Sequence, residues 1–293
     1  MKKQFTSIVL LLSAFSFAQV GIGTTTPNAS AILDITSTSK GLLPPRMNTE
    51  QRNLISNPTE GLTIYNTNLK SLETYNGMRW INYRSITSTD VLNPITDKIW
   101  MDRNLGALEV ATSSIDFYAY GSLFQWGRAA DGHQLMNWTS SSIVTPVNGF
   151  SDIISSSDSP DTTEIILATG YVDWRNPTNE NLWQGVNGIN NPCPTGYRLP
   201  TEIEWEEERF SWSSNNAAGA YASPLKLPNA GNRPYYDRDI WNSGGGESYY
   251  WSSTARYNFW GDPVCSTLKF QPNNAAMFDS YRACSLSIRC IKN

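Results

Sequence analysis

Few residues in this 293-residue chain could do chemistry: four cysteines, Cys193, Cys265, Cys284 and Cys290, and one histidine, His133. Thiolates can act as nucleophiles or bind metal, and thiols can be oxidised in pairs. A Cys-His or Ser-His-Asp site would have to be built on His133. That residue stands in Asp131-Gly132-His133-Gln134, which reads as a turn, so a structural role is expected. The spacing of Cys284 and Cys290 and the lack of clustered histidines argue against zinc. Glu206, Glu207 and Glu208 are consecutive, and consecutive helix positions point in different directions. They read as a solvated helix face rather than a paired-carboxylate site. Gly244-Gly245-Gly246 leads into strand-like sequence, not into the helix that a phosphate loop requires. No catalytic residue, metal site or cofactor is assigned, and a non-enzyme is expected.

What remains is a surface of rings and amides near the C-terminus. Arg256, Tyr257, Asn258, Trp260 and Asp262 follow Trp251-Ser252-Ser253-Thr254, and Asn273, Asp279, Tyr281 and Arg282 come later. Aromatic, amide and guanidinium groups give rigid contact area with adaptable hydrogen bonds. Sugar rings also stack on aromatic faces while Asn and Asp meet their hydroxyls. These nine residues are the candidate ligand site, for a glycan or a protein. Trp251 is expected inside.

The elements that would hold them begin at Cys193-Pro194-Thr195-Gly196-Tyr197-Arg198-Leu199-Pro200-Thr201-Glu202. Thr201 and Glu204 have capping-box spacing, which predicts a helix from there to about Trp212 with Ile203, Trp205 and Phe210 inward. Strands are predicted at 95–101, 249–253, 266–270, 275–278 and 285–291, and a short helix at 118–125. Residues 138–173 are Ser/Thr-rich and read as an exposed, mobile insertion. Residues 231–246 read as loop. A helix followed by strands and long loops fits an α+β domain with a twisted antiparallel sheet.

The start of the chain reads as a secretory signal over 1–18. Lys2 and Lys3 precede an apolar run from Ile8 to Phe15, then Ser16-Phe17-Ala18. The run is too short to span a bilayer, so an exported protein without membrane insertion is expected, secreted or at the cell surface. Residues 19–83 form a small β-rich stalk or spacer and 84–93 a polar linker; the large domain is 94–293. In the first unit Asn48 and Gln51 predict a short capped helix, and Asn76-Gly77 predicts a two-residue hairpin turn between Tyr75 and Met78. So thin a unit would struggle to bury a core alone, and threefold association through 19–83 would supply the burial. The net charge of −4 gives no reason to expect a nucleic-acid partner. Charged residues are 16% and aromatic residues 12%, which favours strands and rigid binding surfaces over helical bundles. In an exported chain four cysteines suggest disulfides, with three connectivities open.

Several strings carry a resemblance: Trp100-Met101-Asp102-Arg103-Asn104-Leu105-Gly106, Gln125-Trp126-Gly127-Arg128, the Cys193–Trp205 stretch, Trp251-Ser252-Ser253-Thr254 and Arg289-Cys290. Together they resemble the Fibrobacter succinogenes major paralogous domain over 94–293. That domain is similar to the C-type-lectin-like folds of formylglycine-generating enzymes and of retroelement-diversified binding proteins. The resemblance implies a C-type-lectin-like fold, a Cys193–Cys290 bridge, and a terminal sheet that exposes the candidate ligand residues. Cys265–Cys284 is then the second expected bridge. No segment matches the active-site cysteines of the enzymes, which leaves an enzyme of that kind, or a structural fibre component, as alternatives to a binding protein. The run from Val20 to Met47, with Gly61-Leu62-Thr63-Ile64-Tyr65, also resembles Bacteroidetes surface and phage-tail-fibre-like modules, implying a trimeric stalk.

Overall fold

The computed structural model describes residues 19–68, 71–75, 77, 80–82, 89–241 and 243–293. The signal over 1–18, the turn residues Asn76 and Met78, and linker residues 84–88 lie outside the described residues. The chain divides into two compact units, Met1–Tyr83 and Arg84–Asn293.

In the N-terminal unit β1 (Val20–Ile22) pairs in parallel with β2 (Leu33–Ile35). A second sheet runs β3 (Arg46–Met47), β4 (Thr63–Asn66), β5 (Ser71–Tyr75), β6 (Trp80–Asn82), with β3 parallel to β4 and the rest antiparallel. Between β3 and β4 lies α1 (Thr49–Asn53), started by the expected Asn48–Gln51 capping box. Pairing of β5 with β6 begins at Tyr75 and Trp80. The sheet encloses little. Ile64 is buried, and beside it Glu73 accepts from Arg52 Nη1 at 2.7 Å and from Asn66 Nδ2 at 2.8 Å. Ile32, Leu42, Leu43 and Leu54 are each more than 70% exposed. Both strands of the β1–β2 pair also turn apolar side chains to solvent.

The C-terminal unit opens with β7 (Asp90–Asn93) and β8 (Lys98–Met101), so the end of the expected linker is strand. Asn93 is drawn in by hydrogen bonds to Glu208 Oε2 and Ser211 Oγ. A 3-10 turn at Phe117–Ala119 and β9 (Phe124–Gln125) stand where a helix over 118–125 was expected. Asp116 caps that turn, and just beyond it Gly121 stands at φ 72°, where any side chain would collide with the Leu105 carbonyl. Next come β10 (Met136–Trp138) antiparallel to β11 (Val144–Pro146), and β12 (Phe150–Ser151) parallel to β13 (Ile165–Ile166). Residues 165–168 are wholly buried, so the Ser/Thr-rich stretch is anchored at that end rather than an exposed insertion throughout.

β14 (Tyr197–Arg198) precedes α2 (Glu202–Phe210) and α3 (Ala217–Ala222). Three long strands then form a meander: β15 (Ser248–Tyr257), β16 (Pro263–Gln271) and β17 (Asn274–Tyr281). β18 (Ser285–Leu286) returns to pair with β9, and β19 (Ile291–Lys292) lies between β14 and β8.

The meander is covered on both faces. Tyr250, Leu268, Phe270 and Ala275 pack on Trp100, Trp205, Trp212 and Ala220. Tyr249, Trp251 and Cys265 pack on Trp126, Trp174, Trp183 and Ile288. The tryptophans are also cross-links. Indole N–H groups donate to backbone carbonyls of other segments: Trp126 to Ser252, Trp174 to Trp126, Trp183 to Arg128, Trp205 to Trp251, and Trp251 to Phe124. Buried carbonyls on β15 and β9, and those of Trp126 and Arg128 after β9, thereby gain side-chain donors.

The architecture is β-rich, with about 9% of the described residues helical and 30% in strands, and this corrects the expected α+β, C-type-lectin-like fold. The capping box forms as read, with Thr201 N–H donating to Glu204 Oε2 at 2.8 Å. The helix it starts is only nine residues long. Beyond it the Ser/Asn/Gly-rich sequence does not sustain a 3.6-residue apolar period, so no helical layer builds up. Within α2, Ile203 and Phe210 are exposed rather than inward, while Trp205 and Glu208 are buried. Glu208 is therefore no part of a solvated face: it accepts from Asn93 and from Trp212 Nε1. Burial, the largest influence, raises its pKa above the usual range.

Cys193 and Cys290 are bonded and join the segment before α2 to the end of the chain. Cys265 and Cys284 are buried free thiols, so the second expected bridge does not form. Cys265 pairs across the sheet with Ser280, and Cys284 sits past the end of β17, its N–H bonded to the Tyr281 carbonyl. Among the described residues, no helix is long and apolar enough to cross a membrane, and no cluster of His, Cys, Asp or Glu is arranged to hold a metal ion.

Candidate functional site

The meander, the N-terminus of α2 and the 232–247 loop enclose a cleft of about 900 Å³. Each wall is held by a specific device. The loop is pinned by Arg233, fully buried, which donates from Nη1 to the carbonyls of Pro234 and Asp237, from Nη2 to the carbonyl of Ala283, and from Nε to Ser285 Oγ. Its base closes through reciprocal backbone bonds between Asn232 and Trp241. Gly231, at φ 72°, has the Trp241 carbonyl so near that a side chain would collide with it. The loop thus carries Tyr235, Tyr236 and Trp241 to the cleft in fixed positions.

The opposite wall is β17 with the turn after β15. Asn258 builds that turn: its Oδ1 accepts from the N–H groups of Trp260 and Asp262, and its Nδ2 donates to Asp262 Oδ2. The outcome is a raised Phe259-Trp260 tip, 96% and 79% exposed. Asn258 faces the cleft, but its amide is committed to the turn.

Arg256 is the hub of the polar side. Nη1 and Nη2 reach the two oxygens of Glu202 at 2.7 and 3.1 Å, and Nε reaches Asp279 Oδ1 at 2.8 Å. The hydrogen bond to Glu202, then that to Asp279, raise the Arg256 pKa above its already high value despite partial burial. Across the cleft Lys269 Nζ pairs with Glu247 Oε1 at 2.9 Å and lies over the rings of Tyr249 and Phe278. Burial would raise the Glu247 carboxyl; the bonds from Lys269 and Tyr249 Oη outweigh it and hold the pKa below the usual range.

Of the residues expected from sequence, Arg256, Asn258, Trp260, Asp279 and Tyr281 line this cleft. The others do not. Asn273 sits at the far β16–β17 turn, accepting from Gln271. Asp262 faces a smaller cleft beside Asp173 and Thr178. Tyr257 is half exposed on that side and shares a hydrogen bond with Thr178 Oγ1. Arg282 is fully buried between the rings of Trp126 and Tyr257, which corrects its assignment to the surface. It faces Asp173 at 3.8 Å, and burial pushes that carboxyl up to about 6. Sequence reading missed the whole loop wall. Pro234-Tyr235-Tyr236 and Trp241 are adjacent rings in a Gly/Asn-rich stretch, a signal that was present but attached to no strand.

His133 is buried and spent. Its Nε2 accepts from the Gln125 N–H, so Nδ1 carries the proton and meets Asp131 Oδ1 at 2.6 Å. Burial depresses its pKa to about 4, and protonation at Nε2 would break the Gln125 bond. Burial also raises both free thiols, Cys284 to about 11 and Cys265 well above its ordinary value. Neither thiol is poised as a thiolate nucleophile.

Residues 21–95 match a family model described as a phage tail like trimerisation region. The match ends at residue 95 and does not bear on the cleft. No curated protein matches the chain, and no solved structure does.

Proposed function

We propose, with the trimerisation match over residues 21–95 as premise, that this chain is an exported, trimeric, fibre-like component whose C-terminal unit binds a glycan or protein ligand in the cleft. One observation carries the binding half: exposed rings from two separately braced walls converge on a single concavity. The stalk half rests on the match together with the apolar side chains left exposed around β1, β2 and α1, which three copies would bury. On the motifs quoted above, residues 94–293 are assigned to the Fibrobacter succinogenes major paralogous domain. A non-catalytic role is supported by the neutral, fully bonded His133 and by the inert thiols.

Sedimentation of residues 19–293 tests the stalk: a trimer is expected for the native chain and a monomer for Leu33→Asp/Ile35→Asp. A monomeric native chain removes it. Screening the same protein against glycan and displayed-peptide panels tests the cleft. Phe278→Ala/Trp260→Ala is expected to weaken any captured ligand about tenfold or more. Undiminished binding by that variant overturns the site.

A further inference from the structure

We infer that the cleft takes an uncharged oligosaccharide; this deepens, and rests on, the binding role proposed above. The first argument is electrostatic. Each charged side chain lining the cleft is already held by another: Glu202 and Asp279 by Arg256, and Glu247 by Lys269. An anionic ligand could recruit Arg256 only by stripping it from two carboxylates. The three carboxylates against two cations would also repel it. A cationic ligand would compete with bridges already formed at 2.7 to 2.9 Å. No charge is left to select a charged ligand.

The second argument is shape and surface. What stays open is ring area: Tyr236, Trp241, Phe278 and Trp260 expose 51, 41, 50 and 79% of their surface. They stand on opposite walls, the first two from the loop, the others from β17 and the turn after β15. A pyranose ring is amphipathic, with C–H faces that stack on aromatic rings and a rim of hydroxyls. Its hydroxyls would meet the side chains of Asn232 and the tyrosines beside those rings. The volume of about 900 Å³ suits a short oligosaccharide, within the range of roughly 300–1,000 Å³ for small-ligand clefts, whereas a folded protein needs a broad patch. A peptide would instead pair along β17, the outer strand of the meander, through backbone hydrogen bonds for which neutral rings are no advantage.

Calorimetry with residues 19–293 tests this, using neutral hexasaccharides (cellohexaose, xylohexaose, mannohexaose and a broader neutral array) against hexauronates and sulfated hexamers. At least one neutral oligomer is expected to bind, with affinity changing less than about twofold between roughly 0.05 and 1 M NaCl. Tyr236→Ala and Trp260→Ala are expected to weaken it about tenfold each. Both side chains are at least half exposed, and a thermal melt shows that each variant folds. Preference for acidic oligomers, or capture only of displayed peptides with loss on Phe278→Ala, overturns the uncharged-sugar assignment and leaves the cleft's binding role standing. Silence toward every class overturns both.

Discussion

Among the described residues, the most completely buried side chains of the C-terminal unit include six tryptophans; those of the N-terminal unit are Ile64, Asn66 and Glu73. Both units are rich in strands and turns, yet among the described residues only the C-terminal unit encloses apolar surface on the scale a lone unit needs. The C-terminal unit stacks cores on both faces of its meander and lets indole N–H groups donate to carbonyls of β15 and β9. The N-terminal unit places a charged, hydrogen-bonded trio at its centre and leaves leucines and isoleucines outside. Such a centre specifies geometry more than it stabilises. The contrast teaches that one unit encloses its own core within a single chain, whereas the other leaves apolar side chains outside that association, as proposed above, would cover.

The comparison can be broken at several places. Ten of the 11 tryptophans follow residue 84, so tryptophan fluorescence follows the C-terminal unit almost alone. The largest effect is expected from Cys193→Ser. The bridge closes a loop with a sequence separation of 97, worth about 4–5 kcal/mol as an upper figure from chain entropy. Denaturant midpoints of the fluorescence transition measure the loss; an unchanged midpoint would mean the core alone holds the chain ends. Trp251→Ala should cost about 3–5 kcal/mol by the same readout, through cavity formation and loss of its bond to the Phe124 carbonyl.

Next is pH. His133 has its folded pKa depressed to about 4, from about 6.5 when unfolded, so the neutral ring's contribution is complete above pH 6.5 and is lost as pH falls toward 4. The loss is about 3 kcal/mol, and the stability gap between the native chain and His133→Gln should narrow over that window. Asp173, with its pKa raised to about 6, acts oppositely: its unfavourable ionisation sets in as pH rises from about 4 through 6. Asp173→Asn should therefore gain on the native chain toward pH 7.

Dilution separates the units. For a trimer, a hundredfold dilution lowers stability by about 2 kcal/mol per chain through mass action. The far-ultraviolet transition of the N-terminal unit should shift while the fluorescence transition stays in place. A concentration-independent pair of transitions would dissolve the contrast. The smallest effect is common to both units. Asn48→Ala and Thr201→Ala each remove the cap of a capping box and should each cost about 1 kcal/mol.

Local chemistry was legible in the sequence because it is short-range. Asn48 with Gln51 and Thr201 with Glu204 fix helix starts within four residues. The meander strands followed from alternating rings and β-branched residues, although β15, β16 and β17 each run longer than read. The burial of Trp251 was also legible. Arg256, Trp260 and Asp279, singled out from the sequence, line the cleft because they lie on or beside those strands.

Other features depend on which distant segments meet. Whether Ile203 or Glu208 of one helix turns inward is decided by Asn93 and Trp212, and neither is written into the helix's own period. Arg282 follows Tyr281 by one residue, yet one lines the cleft and the other is buried, because Trp126 and Asp173 happen to lie beneath. Cys265 and Cys284 remain thiols despite an even count, since pairing is set by where the backbone brings sulfur atoms, not by how many there are. From its sequence alone the chain determined its caps, its main strands and its aromatic supply. Only tertiary structure decided which rings face outward together, because that follows from packing between segments more than a hundred residues apart, such as Trp251 against Phe124.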